Sequence, residues 1–277
     1  MINNSTGIIV LGGHIQSLGI IRILGRLDIP GIVIENTSRN LARHSKYCRG
    51  FYIIKDEYLL DFLVELDRNK KYKGWIVFPT NDFHVKLLSF NKDRLQHNLI
   101  ISTDSWEVIQ KFYNKRYTYQ LASRLDIPIP VTFFPQSAEE LEAIDIKYPC
   151  IVKPAVMVDF YRKVKQKVFI CRNQDELKSF YNKALTVIPA EEIIIQEIIP
   201  GSSENQFSAC FLYLKKHAYI YLSACRMRQH PIDFGNATSY AETMEVPDIR
   251  NYAEALLYET NYNGLCEVEF KKDERDG

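Results

Sequence analysis

Several short segments in the second half of the chain carry residue types and spacings suited to a charged ligand. Lys153 ends the apolar run Tyr148-Pro-Cys-Ile-Val-Lys-Pro154, and the proline after it keeps the backbone extended, so a fixed cation is offered at a strand end, where it suits a phosphate. A lysine snorkelling to the surface would look the same. Ile193-Ile-Ile-Gln-Glu-Ile-Ile-Pro-Gly201 sets Gln196 and Glu197 in apolar company before a Pro-Gly turn. A hinge strand offering backbone groups to a flat heterocycle has this pattern, and so has an ordinary core strand. Cys266-Glu-Val-Glu-Phe270 alternates, so Glu267 and Glu269 share one strand face. Two carboxylates there repel unless a cation or a base lies between them, which fits an oxygen-ligand metal site or a solvated face. In Arg226-Met-Arg-Gln-His-Pro-Ile-Asp-Phe-Gly235 alternation places Arg226 and Arg228 on one side, as a fork of donors for a carboxylate or phosphate; a surface ion pair is the competing reading for Arg228.

The first half offers Gly12-Gly13-His-Ile-Gln-Ser-Leu-Gly19 after an apolar run, where a phosphate-binding glycine turn would sit. Its glycines miss the G-x-G-x-x-G spacing, and an acid such as Glu35 after the second strand is common, so a tight strand-to-helix turn is expected instead. His14 and Asp82, near strand ends that face a cleft in similar folds, read as capping or turn residues.

These side chains need a scaffold, and the apolar periodicity supplies one. Gly7 to Leu11 reads as a strand, and Ile20, Ile23, Leu24 and Leu27 as a core-facing helix stripe. Ile32 to Ile34, Trp75 to Phe78 and Leu99 to Ile101 repeat the strand signal, with a helical stripe at Leu59, Phe62, Leu63 and Leu66 between them. Such alternation implies a parallel sheet wrapped by helices over residues 1–110. Thr118, Leu121, Ala122 and Leu125 then form a linker helix closed by Asp126-Ile-Pro-Ile-Pro130. From residue 149 the strands lengthen (Cys150 to Lys153, Lys167 to Cys171, Ile193 to Gln196, Phe207 to Leu214, Ala218 to Cys225), with helices near 176–187 and 249–262. A mostly antiparallel α+β domain over 111–277 is expected, the whole being α/β then α+β.

Composition excludes other classes. The chain has 277 residues, 46% hydrophobic and 25% charged, with 35 basic against 34 acidic groups, so no global field favours nucleic acid or a membrane surface. Its six cysteines form no C-x-x-C pair, which points to free thiols of a reducing compartment. The start lacks a signal-peptide pattern and no window is long and apolar enough for a membrane span; a cytoplasmic protein is expected.

Taken in order, Asn114-Lys115 with Leu125-Asp-Ile-Pro-Ile-Pro130, Tyr-Pro-Cys-Ile-Val-Lys-Pro154, Gln196-Glu-Ile-Ile-Pro-Gly201 and Gly264-Leu-Cys-Glu-Val-Glu-Phe270 resemble the ATP-grasp superfamily over nearly the whole chain. The likeness is to the carbamoyl phosphate synthase large-subunit type and its carboxylate–amine ligase relatives. It implies a Rossmann-like pre-ATP-grasp domain followed by an ATP-grasp domain with lid and central subdomains. It also implies ATP and magnesium as cofactors, small-molecule carboxylate and amine substrates, and room for a homodimer. By position, Lys115 and Lys153 match the phosphate-contacting bases, with Arg116 as a substitute for Lys115. Gln196, Glu197, Ile198 and Ile199 match the hinge around adenine, Glu204 the ribose-binding acid and Glu269 a magnesium ligand. Arg228 is the candidate catalytic residue, holding substrate.

Two departures from the pattern stand out. The stretch Ala155-Val-Met-Val-Asp-Phe-Tyr-Arg-Lys163, expected as a phosphate loop, has no glycine, leaving side chains such as Arg162 or Lys163, or a different closure, to hold phosphates. The family's returning strand, with a second glutamate and an asparagine, would follow Lys271-Lys-Asp-Glu-Arg-Asp-Gly277, so an incomplete ATP-grasp domain of weak or no activity is expected. A non-catalytic nucleotide-binding module and a carbamoyl-phosphate or bicarbonate-activating synthase fragment are the alternatives.

Overall fold

Ile8, Ile9, Val10 and Leu11 are all buried, as the central strand of a sheet covered on both faces requires. A computed structural model of the chain describes residues 6–232 and 237–275, apart from the side chain of Asp159. Contacts divide the chain into two compact units, Met1–Ile109 and Gln110–Gly277.

The first unit runs β1 (Ile8–Leu11), α1 (Ile15–Gly25), β2 (Gly31–Glu35), β3 (Cys48–Ile53), α2 (Leu59–Arg68), β4 (Ile76–Pro79), α3 (Asp82–Phe90) and β5 (Ile100–Ile101), with α4 (Trp106–Tyr113) spanning the division. Its sheet has the order β3-β2-β1-β4-β5, parallel throughout, so the strand order reverses at β1 and β4. Leu59, Leu63 and Leu66 pack on it with Ile9, Leu11 and Val77, as the periodicity predicts. The α1 stripe is met in part: Ile20 and Leu24 pack on the core. Ile23 and Leu27 are 63% and 59% exposed, while Ser17 and Ile21 face inward. The reason is local: Ser17 Oγ donates to the Gly12 carbonyl at 2.7 Å, and Ile21 lies against Gly31, where an added Cβ would stand 2.6 Å from its Cδ1.

The second unit runs α5 (Lys115–Arg124), β6 (Thr132–Phe133), β7 (Cys150–Pro154), α6 (Met157–Val164), β8 (Phe169–Cys171), α7 (Gln174–Leu185), β9 (Ile193–Glu197), β10 (Gln206–Leu214), β11 (His217–His230), β12 (Ala237–Thr243), α8 (Pro247–Glu259) and β13 (Gly264–Lys271). Two four-stranded antiparallel sheets result, β6-β9-β7-β8 and β12-β11-β10-β13. The first is backed by α7 through Leu177, Tyr181 and Ala184 on Cys150, Val152 and Ile195. The glycine-free stretch after β7 is a helix, not a loop. Phe160 of α6 is fully buried against Phe169, and Lys163 donates to the Val187 carbonyl at 3.3 Å.

All six cysteines are free, in keeping with the thiols expected. Among the described residues no helix is long and apolar enough to cross a membrane.

Candidate functional site

The site is built around Lys153 at the end of β7. Register places Lys153 beside Ile194 of β9, and its side chain is only 9% exposed. Nζ donates to the Tyr119 hydroxyl at 2.8 Å and to Gln196 Oε1 at 2.6 Å. Both partners are neutral oxygens, and no ion pair is made by Lys153 among the described residues. Burial lowers its basicity, the Tyr119 oxygen opposes that by attraction and hydrogen bonding, and Lys115 adds to the lowering; the net shift is down.

Lys115 arrives from α5. Asn114 caps that helix by accepting from Arg116 N–H at 2.9 Å, and Lys115 N–H donates to the Ala155 carbonyl at 3.0 Å, which ties the helix start to the end of β7. Arg116 is turned away: it donates to the Glu191 carbonyl at 3.1 Å and lies over the Phe134 ring. Lys115, rather than Arg116, is therefore the cation beside Lys153.

On the second sheet, antiparallel register sets Gln206 and Ser208 of β10 opposite Lys271 and Glu269 of β13. Ser208 in turn lies opposite Ala224 of β11, which puts Arg226 on the same open face. Arg226 donates to Gln206 Oε1 at 2.8 Å and pairs with Glu269 through Nη2. Ser208 Oγ donates to Glu267 at 2.5 Å. The repulsion expected between Glu267 and Glu269 is thus answered by a guanidinium and a hydroxyl from neighbouring strands. Lys167, half-buried, joins this face: burial lowers its basicity, Glu269 raises it, and Arg226 and Lys115 lower it. Lys115 thus acts on both Lys153 and Lys167, and Arg226 and Glu269 act on Lys167.

The hinge residues end β9 and follow it. Gln196 is buried, while Ile198 and Ile199 are half-buried. Glu197 accepts from Val131 N–H at 2.8 Å and from Arg275 at 3.0 Å, and Lys271 Nζ donates to the Ile199 carbonyl at 2.7 Å. Glu204 is exposed in the turn Ser203–Asn205, its carbonyl accepting from Cys225 Sγ at 3.0 Å. Arg228 is exposed and donates to Ser239 Oγ at 3.1 Å; among the described residues it makes no ion pair with Glu269. Of the segment Arg226 to Gly235, residues 233–235 lie outside the described residues.

Sequence reasoning missed Tyr119 and Lys167. Tyr119 was signalled by its i,i+4 spacing from Lys115 on one helix, and Lys167 by its place just before β8, the neighbour of the Lys153 strand.

A buried cation with neutral partners and a further cation, Lys115, acting on it fits the phosphates of a nucleotide. Magnesium fits less fully. No group of three or more His, Cys, Asp or Glu able to hold a metal exists among the described residues, and Glu269 is held by Arg226. A phosphate-bound magnesium, however, needs only one or two protein carboxylates.

In the first unit the glycine turn holds an anion of its own. Glu35 accepts from Gly13 N–H at 2.7 Å, and Gly12 adopts φ +98°, where an added Cβ would stand 2.2 Å from Thr80 Oγ1.

No family model matches the chain. It is 22% identical over 242 residues to D-aspartate ligase of Enterococcus faecium (strain Aus0004), covering 80% of this chain and 56% of that protein. The biotin carboxylase domain of Hydrogenobacter thermophilus 2-oxoglutarate carboxylase, in complex with MgADP, ADP and bicarbonate, superposes with a TM-score of 0.73 at 18% identity, covering 98% of this chain and 62% of that one. L-amino acid ligase from Bacillus licheniformis gives 0.67 at 14%, covering 97% and 64%. The ADP complex of N5-carboxyaminoimidazole ribonucleotide synthetase gives 0.67 at 13%, covering 99% and 68%. The chain thus spans rather more than half the length of the curated relative and about two thirds of these structures. With its parallel-sheet unit followed by two antiparallel sheets, matched along nearly its full length, the chain has the ATP-grasp fold.

Proposed function

We propose that this chain is the nucleotide-binding part of an ATP- and magnesium-dependent ligase that activates a carboxylate as an acyl phosphate for attack by an amine. The observation that carries the reading is the buried Lys153 ammonium, satisfied only by the Tyr119 hydroxyl and the Gln196 amide oxygen, with Lys115 as a further cation acting on it. Such a cluster is electrostatically incomplete without an anion. D-aspartate ligase and L-amino acid ligase among the similar proteins support an amino-acid carboxylate or amine as substrate. The same reading places the protein in the cytoplasm and allows a homodimer.

Bound ATP supplies the phosphoryl group that activates the carboxylate. The protein's own residues bind and orient. Lys153 and Lys115 hold phosphate oxygens, Gln196 to Ile199 border the base, and Glu204, exposed beside β10, takes the ribose hydroxyls. Glu269, released by Arg226, serves as one magnesium ligand, and Arg226 is then free to hold an anionic substrate. Arg228 contributes a second donor to the substrate carboxylate. No side chain has to act as a covalent nucleophile, so catalysis rests on positioning and charge neutralisation.

Isothermal titration of ATP and ADP, with and without magnesium, tests the binding half. ADP release with panels of amino acids as carboxylate and amine tests the chemistry. Saturable, magnesium-enhanced ADP binding is expected, and its absence at millimolar nucleotide would remove the reading.

A further inference from the structure

The polar chain around Lys153 has a direction. Thr132 gives its hydroxyl proton to the Pro130 carbonyl at 2.6 Å, so its oxygen is left to accept, and it does so from Gln196 Nε2 at 2.7 Å. That orients the Gln196 amide with Oε1 towards Lys153, where it accepts from Nζ at 2.6 Å and from the Tyr119 hydroxyl at 3.4 Å. Tyr119, its proton so directed, turns an oxygen lone pair to Nζ at 2.8 Å, and its ring centroid lies 5.0 Å from the same nitrogen. Two ammonium protons are held inside the protein, and one is left for a ligand.

We propose that Tyr119 is a positioning residue for Lys153, its oxygen keeping the ammonium charged in a buried place and aiming the remaining N–H at a nucleotide phosphate. The proposal rests on the nucleotide reading of the site and adds a residue that the family resemblance does not assign. A buried ammonium without an anion tends to shed its proton, and a lysine that had done so would be a poor phosphate ligand. Tyr119 and Lys115, both on α5, are the titratable groups acting on Lys153; β9 contributes the neutral Gln196. Burial alone would raise the Tyr119 phenol, but the charge and hydrogen bond of Lys153, with Gln196 and Lys115, bring it below its ordinary value. Each group of the pair thus favours the charged form of the other.

Tyr119→Phe keeps the ring and removes the oxygen. In the ligand-free protein, side-chain NMR of isotopically labelled lysine, with the Lys153 signal assigned by its loss in Lys153→Met, reads the ammonium titration directly. Its midpoint should fall in Tyr119→Phe. A midpoint that stays in place would overturn the proposal, whether or not nucleotide binds. Calorimetry with magnesium-ADP should show affinity weakened roughly tenfold by Tyr119→Phe, the scale of one hydrogen bond to a charged group. That loss should vanish in a Lys153→Met background, and an equal loss in both backgrounds would sink the proposal. Should Tyr119→Phe fail to fold, 3,5-difluorotyrosine placed at 119 keeps the shape and makes a more acidic phenol. It should move the Lys153 midpoint upward, and no movement would overturn the assignment. Failure of the wild-type protein to bind ADP would remove the nucleotide reading, while the NMR titration still decides the role of Tyr119.

Discussion

Arg226 of β11 reaches across β10 to pair with Glu269 of β13, so the carboxylate assigned to magnesium is engaged by a guanidinium two strands away. The Glu269 side chain is 60% exposed but that of Arg226 only 16%, so removing the carboxylate charge leaves a largely buried guanidinium with Gln206 as its remaining partner. Glu269→Gln should therefore lower thermal stability modestly while removing most of the magnesium enhancement of nucleotide binding. Thermal denaturation and calorimetry at several magnesium concentrations check both halves, and undiminished enhancement would take Glu269 out of the metal site.

Lys153→Met offers a second test, because it replaces a buried charge by an apolar chain of similar length. The exchange also removes the desolvation cost of an unpaired buried charge, so the variant should fold as well as the parent or better while losing nucleotide affinity. The pH dependence has a definite sign. The native ammonium is less basic than the unfolded value of 10.5. Its burial penalty is therefore fully present below the native midpoint and is relieved as pH rises towards the unfolded value, where the unfolded chain binds more protons. The stability advantage of Lys153→Met should be larger at neutral pH than near pH 10, as scanning calorimetry at both would show.

Base selection should follow the hinge. In the proposed reading, Ile198 and Ile199, half-buried after β9, border the base. ATP and ADP should bind at least roughly tenfold more tightly than GTP and GDP, a difference of ~1.4 kcal/mol. Equal affinities in competition calorimetry would remove the hinge assignment for Gln196 to Ile199.

A fourth expectation concerns the scaffold alone. Asp67, at the end of α2 and 2% exposed, accepts from the backbone N–H groups of Asn98 and Leu99 at 2.8 Å and of His97 at 3.1 Å. Asp67→Ala would leave three donors without that partner, and a cost of about 2–4 kcal/mol is expected in urea unfolding of the first unit. A shift in midpoint below a quarter of that would show that water replaces the carboxylate at no loss.

Where apolar residues recur with a clean period and bury on one face, sequence and structure agree. Leu59, Leu63 and Leu66 did so, as did the unbroken run of β1. Of the α1 stripe Ile20 and Leu24 agreed and Ile23 and Leu27 did not, because which side of that helix faces inward is set by Ser17 bonding to Gly12 and by the missing side chain of Gly31, neither of which a hydrophobic period registers. Strand β3 gave no expectation, its residues being half-buried or exposed at a sheet edge. The stretch after Lys153 turned helical because Phe160 has a buried pocket against Phe169, a contact absent from local pattern. At the site, Lys153 and Gln196 were legible as polar residues in apolar strands. Tyr119 was not, since a tyrosine on an amphipathic helix is ordinary until the strand opposite supplies a lysine.

The Glu35 carboxylate on Gly13 N–H gives the first unit a different standing from its second-unit neighbour in sequence. A helix start opening from a glycine turn is a socket for negative charge, and here the protein has plugged that socket with its own side chain. An incoming phosphate would have to evict a carboxylate already paired with two backbone donors, at Gly13 and Asn36. The first unit thus meets its own positive helix start with a carboxylate, whereas the second leaves the Lys153 ammonium with neutral partners alone.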